Sequence, residues 1–255
     1  MIGIFDSGIG GLGVLIQVRR LVPAADIVYV ADHARAPYGT RSLKEVADIS
    51  ADISGRLIEK GAQTVVIACN TASAAALHSL RAEFPNTSFV GMETAVKPAA
   101  METRTGVIGV LATAATFQSE LYESVVQRFG GDATIRTAAC PDWVEMVESG
   151  IIDGPAVEHT VRAKIEPILE EGADTLVLGC THFPFLLSSI EAVAGPNVTI
   201  VDPAPAVGRQ VARVDPGSGS GELSLMSTGD PGRFEALVRK LGGSELSLSA
   251  LAFGD

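Results

Sequence analysis

Gly61-Ala-Gln-Thr-Val-Val-Ile-Ala-Cys69-Asn70-Thr71 and Gly172-Ala-Asp-Thr-Leu-Val-Leu-Gly-Cys180-Thr181-His182 are two copies of one pattern. Each runs from a Gly-Ala turn through a short apolar run to a cysteine and small polar residues. The runs Thr64 to Ala68 and Thr175 to Gly179 are branched and nearly uninterrupted, which is how a strand buried on both faces of a parallel sheet reads. A helical pattern follows each. Each cysteine is therefore expected at the carboxyl end of a strand, just ahead of a helix N-terminus. Ligands bind there in open α/β sheets, and the positive end of a helix dipole favours a thiolate. Two such thiols from two similar halves point to one site with two matched sulfurs.

Working outward, Ile2 to Phe5 reads as a first strand, followed by the turn Asp6-Ser7-Gly8-Ile9-Gly10-Gly11-Leu12-Gly13 and an amphipathic helix to about Leu21. Gly8, Gly10 and Gly13 fit the G-x-G-x-x-G dinucleotide fingerprint, with Asp32 after the next strand, Ile27 to Ala31, as a ribose-binding acid. Asp6 in that turn would oppose a pyrophosphate, so the competing reading is a turn whose backbone N–H groups and Asp6 face a small ligand. Pro37-Tyr38-Gly39 suggests a rigid turn. Ser42 and Glu45 form a capping box ahead of a helix that buries Val46, Ile49, Ile53 and Leu57.

Gly106 to Thr116 repeats the opening strand and turn. Aligning Ile2 with Ile108 sets Thr113 opposite Ser7 and Ala112 opposite Asp6. Val214 to Gly221, rich in Gly and Ser, predicts a mobile loop. The strand Leu223 to Ser227 and the helix Pro231 to Leu241 have no equivalent in the second half and are expected to return to the first.

A chain of 255 residues allows one large α/β domain or two smaller ones, and an apolar fraction of 47% suffices for a sizeable core. A net charge of -11 argues against nucleic acid or an anionic membrane as partner. It leaves room for an anionic small substrate, because helix N-termini bind carboxylates locally. No apolar run reaches transmembrane length. Three cysteines, with Met1 leading straight into a strand and no signal peptide, predict a cytoplasmic protein with reduced thiols.

The cysteine pair admits four readings: buried small hydrophobes, a disulfide disfavoured by the compartment, a metal site lacking ligand spacing, or acid/base chemistry on opposite faces of one carbon. The last accounts for the symmetry. Inverting a C–H stereocentre needs a base on one face and an acid on the other, and each turnover exchanges their protonation states. Two residues of one type suit that exchange.

Asp6-Ser7-Gly8-x-Gly-Gly, Pro37-Tyr38-Gly39, Ala68-Cys69-Asn70-Thr71-Ala72-Ser73 and Gly179-Cys180-Thr181-His182-Phe183-Pro184 together resemble the glutamate racemases, in order and over nearly the whole chain. The resemblance implies two similar doubly wound α/β domains, related by pseudo-two-fold symmetry and facing each other across an active-site cleft. We expect residues 1–96 plus 207–255 in the first and 97–206 in the second. It implies interconversion of L- and D-glutamate with no cofactor and no metal, supplying D-glutamate for peptidoglycan. Carried over by motif, Cys69 would act on the D-enantiomer and Cys180 on the L-enantiomer, assisted by Asp6 and His182. Ser7, Pro37, Tyr38, Gly39, Asn70, Thr71, Thr113, Thr116 and Thr181 would hold the amino acid, with Asp32 near its ammonium and Glu148 orienting His182. A homodimer is expected. The chain lacks the N-terminal extension of activator-dependent members, so activation by a precursor is not expected.

Four positions depart from the family pattern: Ala31 and His33, in Ala31-Asp32-His33 in place of Gly-Asp-Thr, Thr94 in place of a proline, and Trp143 in place of a smaller aromatic. His33 is expected to affect substrate fit or pH dependence. Cys140 reads as a packed thiol, and His78 and His159 as exposed helix residues. The alternatives are a related racemase or isomerase acting on aspartate or another small acid, a nucleotide-binding dehydrogenase built on Gly8, Gly10 and Gly13, and a binding module without catalysis.

Overall fold

The structure, a computed structural model, describes residues 1–215, 217–242, 246 and 250–253. The first half contains β1 (Ile2–Asp6), α1 (Leu12–Leu21), β2 (Ile27–Ala31), α2 (Leu43–Glu59), β3 (Thr64–Ile67), α3 (Asn70–Glu83) and β4 (Ser88–Gly91). The second begins with α4 (Val96–Glu102), β5 (Val107–Ala112), α5 (Ala114–Phe117), α6 (Glu120–Phe129) and β6 (Thr134–Ala139). It continues through α7 (Pro141–Glu148), α8 (Pro155–Glu170), β7 (Thr175–Gly179), α9 (Leu187–Ala194) and β8 (Thr199–Val201). The chain then forms α10 (Ala204–Val214), β9 (Leu223–Ser227), α11 (Pro231–Leu241) and β10 (Ala250–Ala252).

These strands make two parallel sheets, in the orders β10-β9-β2-β1-β3-β4 and β6-β5-β7-β8. Four consecutive strands of the first, β2-β1-β3-β4, match β6-β5-β7-β8 of the second one for one, and the register repeats as well. Ile2 stands opposite Thr64 in one sheet, and Ile108 opposite Thr175 in the other. The turn glycines before β3 and β7, Gly61 and Gly172, both take positive φ, at 97° and 93°, a conformation open to glycine and strained for other residues. The protein is thus two similar doubly wound α/β units. Every residue of β1, β2, β3 and β7 is buried, as strands covered by helices on both faces require. As expected, β9 returns to pair with β2, Ile27 opposite Leu223, and α11 packs on β9 and β10.

Two local readings change. Cys180 is not followed directly by an α-helix. Phe183–Leu186 forms a 3-10 turn first, closed by Phe183 N–H to Cys180 O and Phe185 N–H to His182 O, both 3.1 Å. Pro184 has no N–H to give. The segment expected to be mobile begins with the last residue of α10, and beyond it Asp26 holds its described part. The Asp26 Oδ1 accepts from Ser220 N–H at 2.8 Å, from Ser220 Oγ at 2.9 Å and from Glu222 N–H at 3.1 Å. Among the described residues no helix is long and apolar enough to cross a membrane.

The two units share a core. One apolar cluster runs from Ile4, Ile9 and Leu15 in the first half to Trp143, Val147 and Phe183 in the second. Trp143 is fully buried and meets Phe183 edge-on at 4.8 Å. This seam lies beneath the Gly8–Gly11 turn and fixes how the strand ends of the two units face each other.

Candidate active site

Ser7, Cys69, Thr113 and Cys180 follow the carboxyl ends of β1, β3, β5 and β7, the central strands of the two sheets. All four line one cavity of about 310 Å³. Pro37, Tyr38, Gly39, Asn70, Thr71, Thr181 and His182 line it too. The fold therefore brings both copies of the cysteine pattern to one space, as the repeat predicts.

Cys69 caps α3 and is 5% exposed. Its Sγ lies 3.9 Å from Ser7 Oγ. Burial pushes its thiol up to about 12, and Asp6 adds to the rise. The Ala72 N–H, at the start of α3, pulls the other way and loses. The expected helix effect is present, but desolvation of the thiolate at this buried position outweighs it.

Cys180 stands 3.7 Å from His182 Nδ1. His182 Nε2 donates to Glu148 Oε1 at 2.6 Å. Burial would strip the proton from His182, yet Cys180 and Glu148 together hold it well above its ordinary value. Burial would likewise raise Glu148, but hydrogen bonds from His182 and His33 hold it far below the usual carboxylate range. Glu148 Oε1 also accepts from Ile9 N–H at 2.9 Å. Both thiols are buried, but their neighbours differ: Cys69 lies under the charge of Asp6, and Cys180 lies beside the His182 imidazolium.

The glycine-rich turn has no room for a dinucleotide. A side chain on Gly8 would run into the Glu148 carboxylate, and one on Gly10 into Thr181 and His182 at 2.5 to 2.7 Å. These glycines admit the second unit's side chains. Gly13, the third of the fingerprint, has open space before it.

Asp6, Asp32, Thr116 and Glu148 are not on the cavity wall. Asp6 is fully buried, and burial raises its carboxyl. It accepts from Gly8 N–H at 2.8 Å and from Thr181 Oγ1 at 3.0 Å, and no hydrogen bond joins it to Cys69 among the described residues. It bears on Cys69 through charge. Asp32, expected near a substrate ammonium, is fully buried with its oxygens occupied. Arg35 Nε donates to it at 2.8 Å, Thr228 Oγ1 at 2.7 Å, and Tyr38 Oη closes the set. It reaches the cavity only through Tyr38. Thr116 sits behind Thr113, their hydroxyls 2.9 Å apart. Thr113 in turn meets Thr71 at 3.0 Å, linking the two units.

Asn70 lines the cavity and is 3% exposed, and among the described residues its buried side-chain oxygen and nitrogen lack a partner. A buried unpaired amide beside a cavity is costly to the free protein, and it offers both a donor and an acceptor to a ligand that reaches it, as an amino acid's carboxylate and ammonium would require. His33, just after β2, joins the supporting layer beside Glu148, and with it come Ser227 and Thr228 at the end of β9, which no sequence motif marks. Among the described residues no group of three or more His, Cys, Asp or Glu is arranged to hold a metal ion.

The family described as Asp/Glu/Hydantoin racemase matches residues 13–211. The glutamate racemase of Roseiflexus sp. is 48% identical over 94% of this chain and 91% of the relative. The crystal structure of glutamate racemase from Thermus thermophilus, in complex with beta-chloro-D-alanine, is similar with a TM-score of 0.84 at 36% identity, covering 98% of this chain and 94% of that one. That of the Francisella tularensis glutamate racemase in complex with D-glutamate has a TM-score of 0.85 at 26% identity, covering 100% and 97%. A family match across most of the sequence, joined to near-half identity over almost its full length, makes the placement direct: the chain belongs to the Asp/Glu/Hydantoin racemase family, as an amino-acid racemase.

Proposed function

We propose that this chain interconverts L- and D-glutamate without a cofactor, using Cys69 and Cys180 as its two acid/base groups. The observation that carries the reading is that equivalent strand ends of two repeated units deliver one thiol each to one cavity. The substrate is taken from the relatives' names, and the unpaired Asn70 amide beside the cavity supports a ligand with both a donor and an acceptor.

In the L-to-D direction, the Cys180 thiolate removes the α-proton, forming an S–H bond as the C–H electron pair passes to carbon. Cys69 then delivers its own proton to the opposite face of that carbanion. A thiol pushed up to about 12 is a reservoir that keeps its proton until the carbanion forms. The reverse direction exchanges the roles. His182, proton-bound beside Cys180, offsets the sulfur's negative charge, and Glu148 holds the imidazolium in place. Asp6 acts on Cys69 by its charge and on Thr181 by its hydrogen bond. Tyr38, Asn70, Thr71, Thr113 and Thr181 hold the amino acid, and Asp32 holds Tyr38.

We take the first unit as residues 1–96 plus 207–255 and the second as 97–206, the protein as a cytoplasmic homodimer, and its role as the supply of D-glutamate for peptidoglycan. Circular dichroism of L-glutamate and L-aspartate incubated with the protein tests the substrate. Decay of the glutamate signal to zero, with the aspartate signal slower or unchanged, is expected. Equal or faster loss of the aspartate signal would overturn glutamate as the substrate.

A further inference from the structure

His33 is a departure from the family pattern, and it lies on the far side of Glu148 from the cavity. Its Nε2 stands 3.1 Å from Glu148 Oε2, while Glu148 Oε1 holds His182. Its Nδ1 stands 3.1 Å from Ser227 Oγ. A carboxylate only accepts, so Nε2 of His33 carries the proton. In the neutral ring Nδ1 then accepts from the Ser227 hydroxyl, whose oxygen in turn takes the Gly229 N–H at 3.1 Å. Ser227 is fully buried at the end of β9. The hydroxyl fixes the tautomer of His33, which fixes one oxygen of Glu148, leaving the other aimed at His182. An unbroken row of hydrogen bonds therefore runs from β9 to the Cys180 sulfur.

We propose that His33 is a positioning residue for proton transfer at Cys180, acting through Glu148 on the His182 imidazole. Without His33 the Glu148 carboxylate is held through Oε1 alone, by Ile9 N–H and His182, and can pivot about that oxygen, which loosens the aim of the His182 imidazole. Among the described residues no equivalent row reaches Cys69, whose neighbours are the Ser7 hydroxyl and the Ala72 N–H. Losing His33 therefore weakens one of the two proton transfers and spares the other. The inference rests on the two-thiol reading above.

The overall equilibrium between enantiomers fixes the ratio of the two directions, so turnover alone does not separate the faces. Isotope effects do. With 2-deuterated L-glutamate the label leaves through Cys180; with 2-deuterated D-glutamate it leaves through Cys69. In His33→Ala, kcat falls about 10-fold while KM stays within about twofold, a loss of positioning rather than binding. The primary isotope effect rises for L-glutamate, because the Cys180 step now limits, and falls for D-glutamate. His33→Gln, which keeps an N–H for Glu148, restores most of the activity. The nitrogen-15 and proton signals of the His182 ring shift in His33→Ala and return in His33→Gln, and these read the contact without turnover.

Wild-type kcat in His33→Ala, isotope effects that move together for both enantiomers, or a His182 signal indifferent to His33 would overturn the proposal. So would a Gln variant no better than Ala, since His33 would then act only by packing edge-on against Phe234 at 5.3 Å. Failure of the two-thiol reading shows instead in the unmodified protein, as solvent label in the recovered substrate.

Discussion

The Glu148 carboxylate occupies the space into which any side chain on Gly8 would project. The two residues lie in different halves of the chain, so the second unit can seat His182 and Glu148 only because position 8 is bare. Gly8→Ala should push the carboxylate away from Ile9 N–H and from His182. We expect racemase activity to fall about 100-fold, the cost of misplacing a reacting group. Stability should fall by about 1–3 kcal/mol from overpacking. Steady-state kinetics and denaturant melts of the variant check both. Wild-type activity would mean that Glu148 does not need its present place.

That relationship also marks how far the sequence was legible. The strands bearing Cys69 and Cys180 could be read because a doubled apolar run ending in cysteine has few other meanings, and the sheets repeat in the register that Ile2 and Ile108 suggested. The Gly8-x-Gly10 turn was recognised, but what fills it comes from 139 residues away along the chain. Asp32 was assigned to the substrate because nothing in the sequence shows that Arg35, Tyr38 and Thr228 already occupy it. Ser227 carries no motif, and it meets His33 across 194 positions. Such contacts follow from where β9 docks, which periodicity alone does not specify.

The Glu148–His182 pair should govern part of the pH dependence of stability. Glu148 is depressed below its ordinary value of 4.5, so its contribution is full above that pH and is lost as pH falls toward the folded value. His182 is raised above 6.5, so its contribution is full below that pH and is lost as pH rises through the folded value. Both are complete between about 4.5 and 6.5. Glu148→Gln should therefore cost most in that window, on the order of 3 kcal/mol for breaking a buried pair, with the difference shrinking on either side. Urea titrations at several pH values read it. A constant difference from acid to alkaline pH would contradict the linkage.

Cys69 should behave as a thiol, not a thiolate, in the free protein. Its rise to about 12 comes first from burial and then from Asp6. Iodoacetamide labelling of Cys69, followed by peptide mapping, should be slow at neutral pH and still climbing at about pH 10, above the ordinary thiol range of ~8.5. Asp6→Asn should move the climb to lower pH. Labelling at neutral pH as fast as that of free cysteine would show that the site stabilises the thiolate instead.

Asn70 should contribute binding at the expense of stability. Its buried amide has no partner among the described residues, so Asn70→Ala should leave the unliganded protein as stable or more stable by about 1 kcal/mol. The rise in melting temperature that glutamate gives the unmodified protein should be lost. Thermal melts with and without glutamate decide it. A variant that melts lower when empty yet responds fully to glutamate would show that Asn70 serves packing.

The two-thiol mechanism is tested most directly by brief turnover of L-glutamate in deuterated water. Each thiol serves one face, so the D-glutamate formed should carry deuterium at the α-carbon while the recovered L-glutamate stays largely protiated. Cys69→Ser and Cys180→Ser should each abolish racemisation, because a hydroxyl is far too weak a base at neutral pH. Early deuterium in the recovered L-glutamate, or near-normal racemisation by either serine variant, would contradict the assignment of one proton transfer to each cysteine.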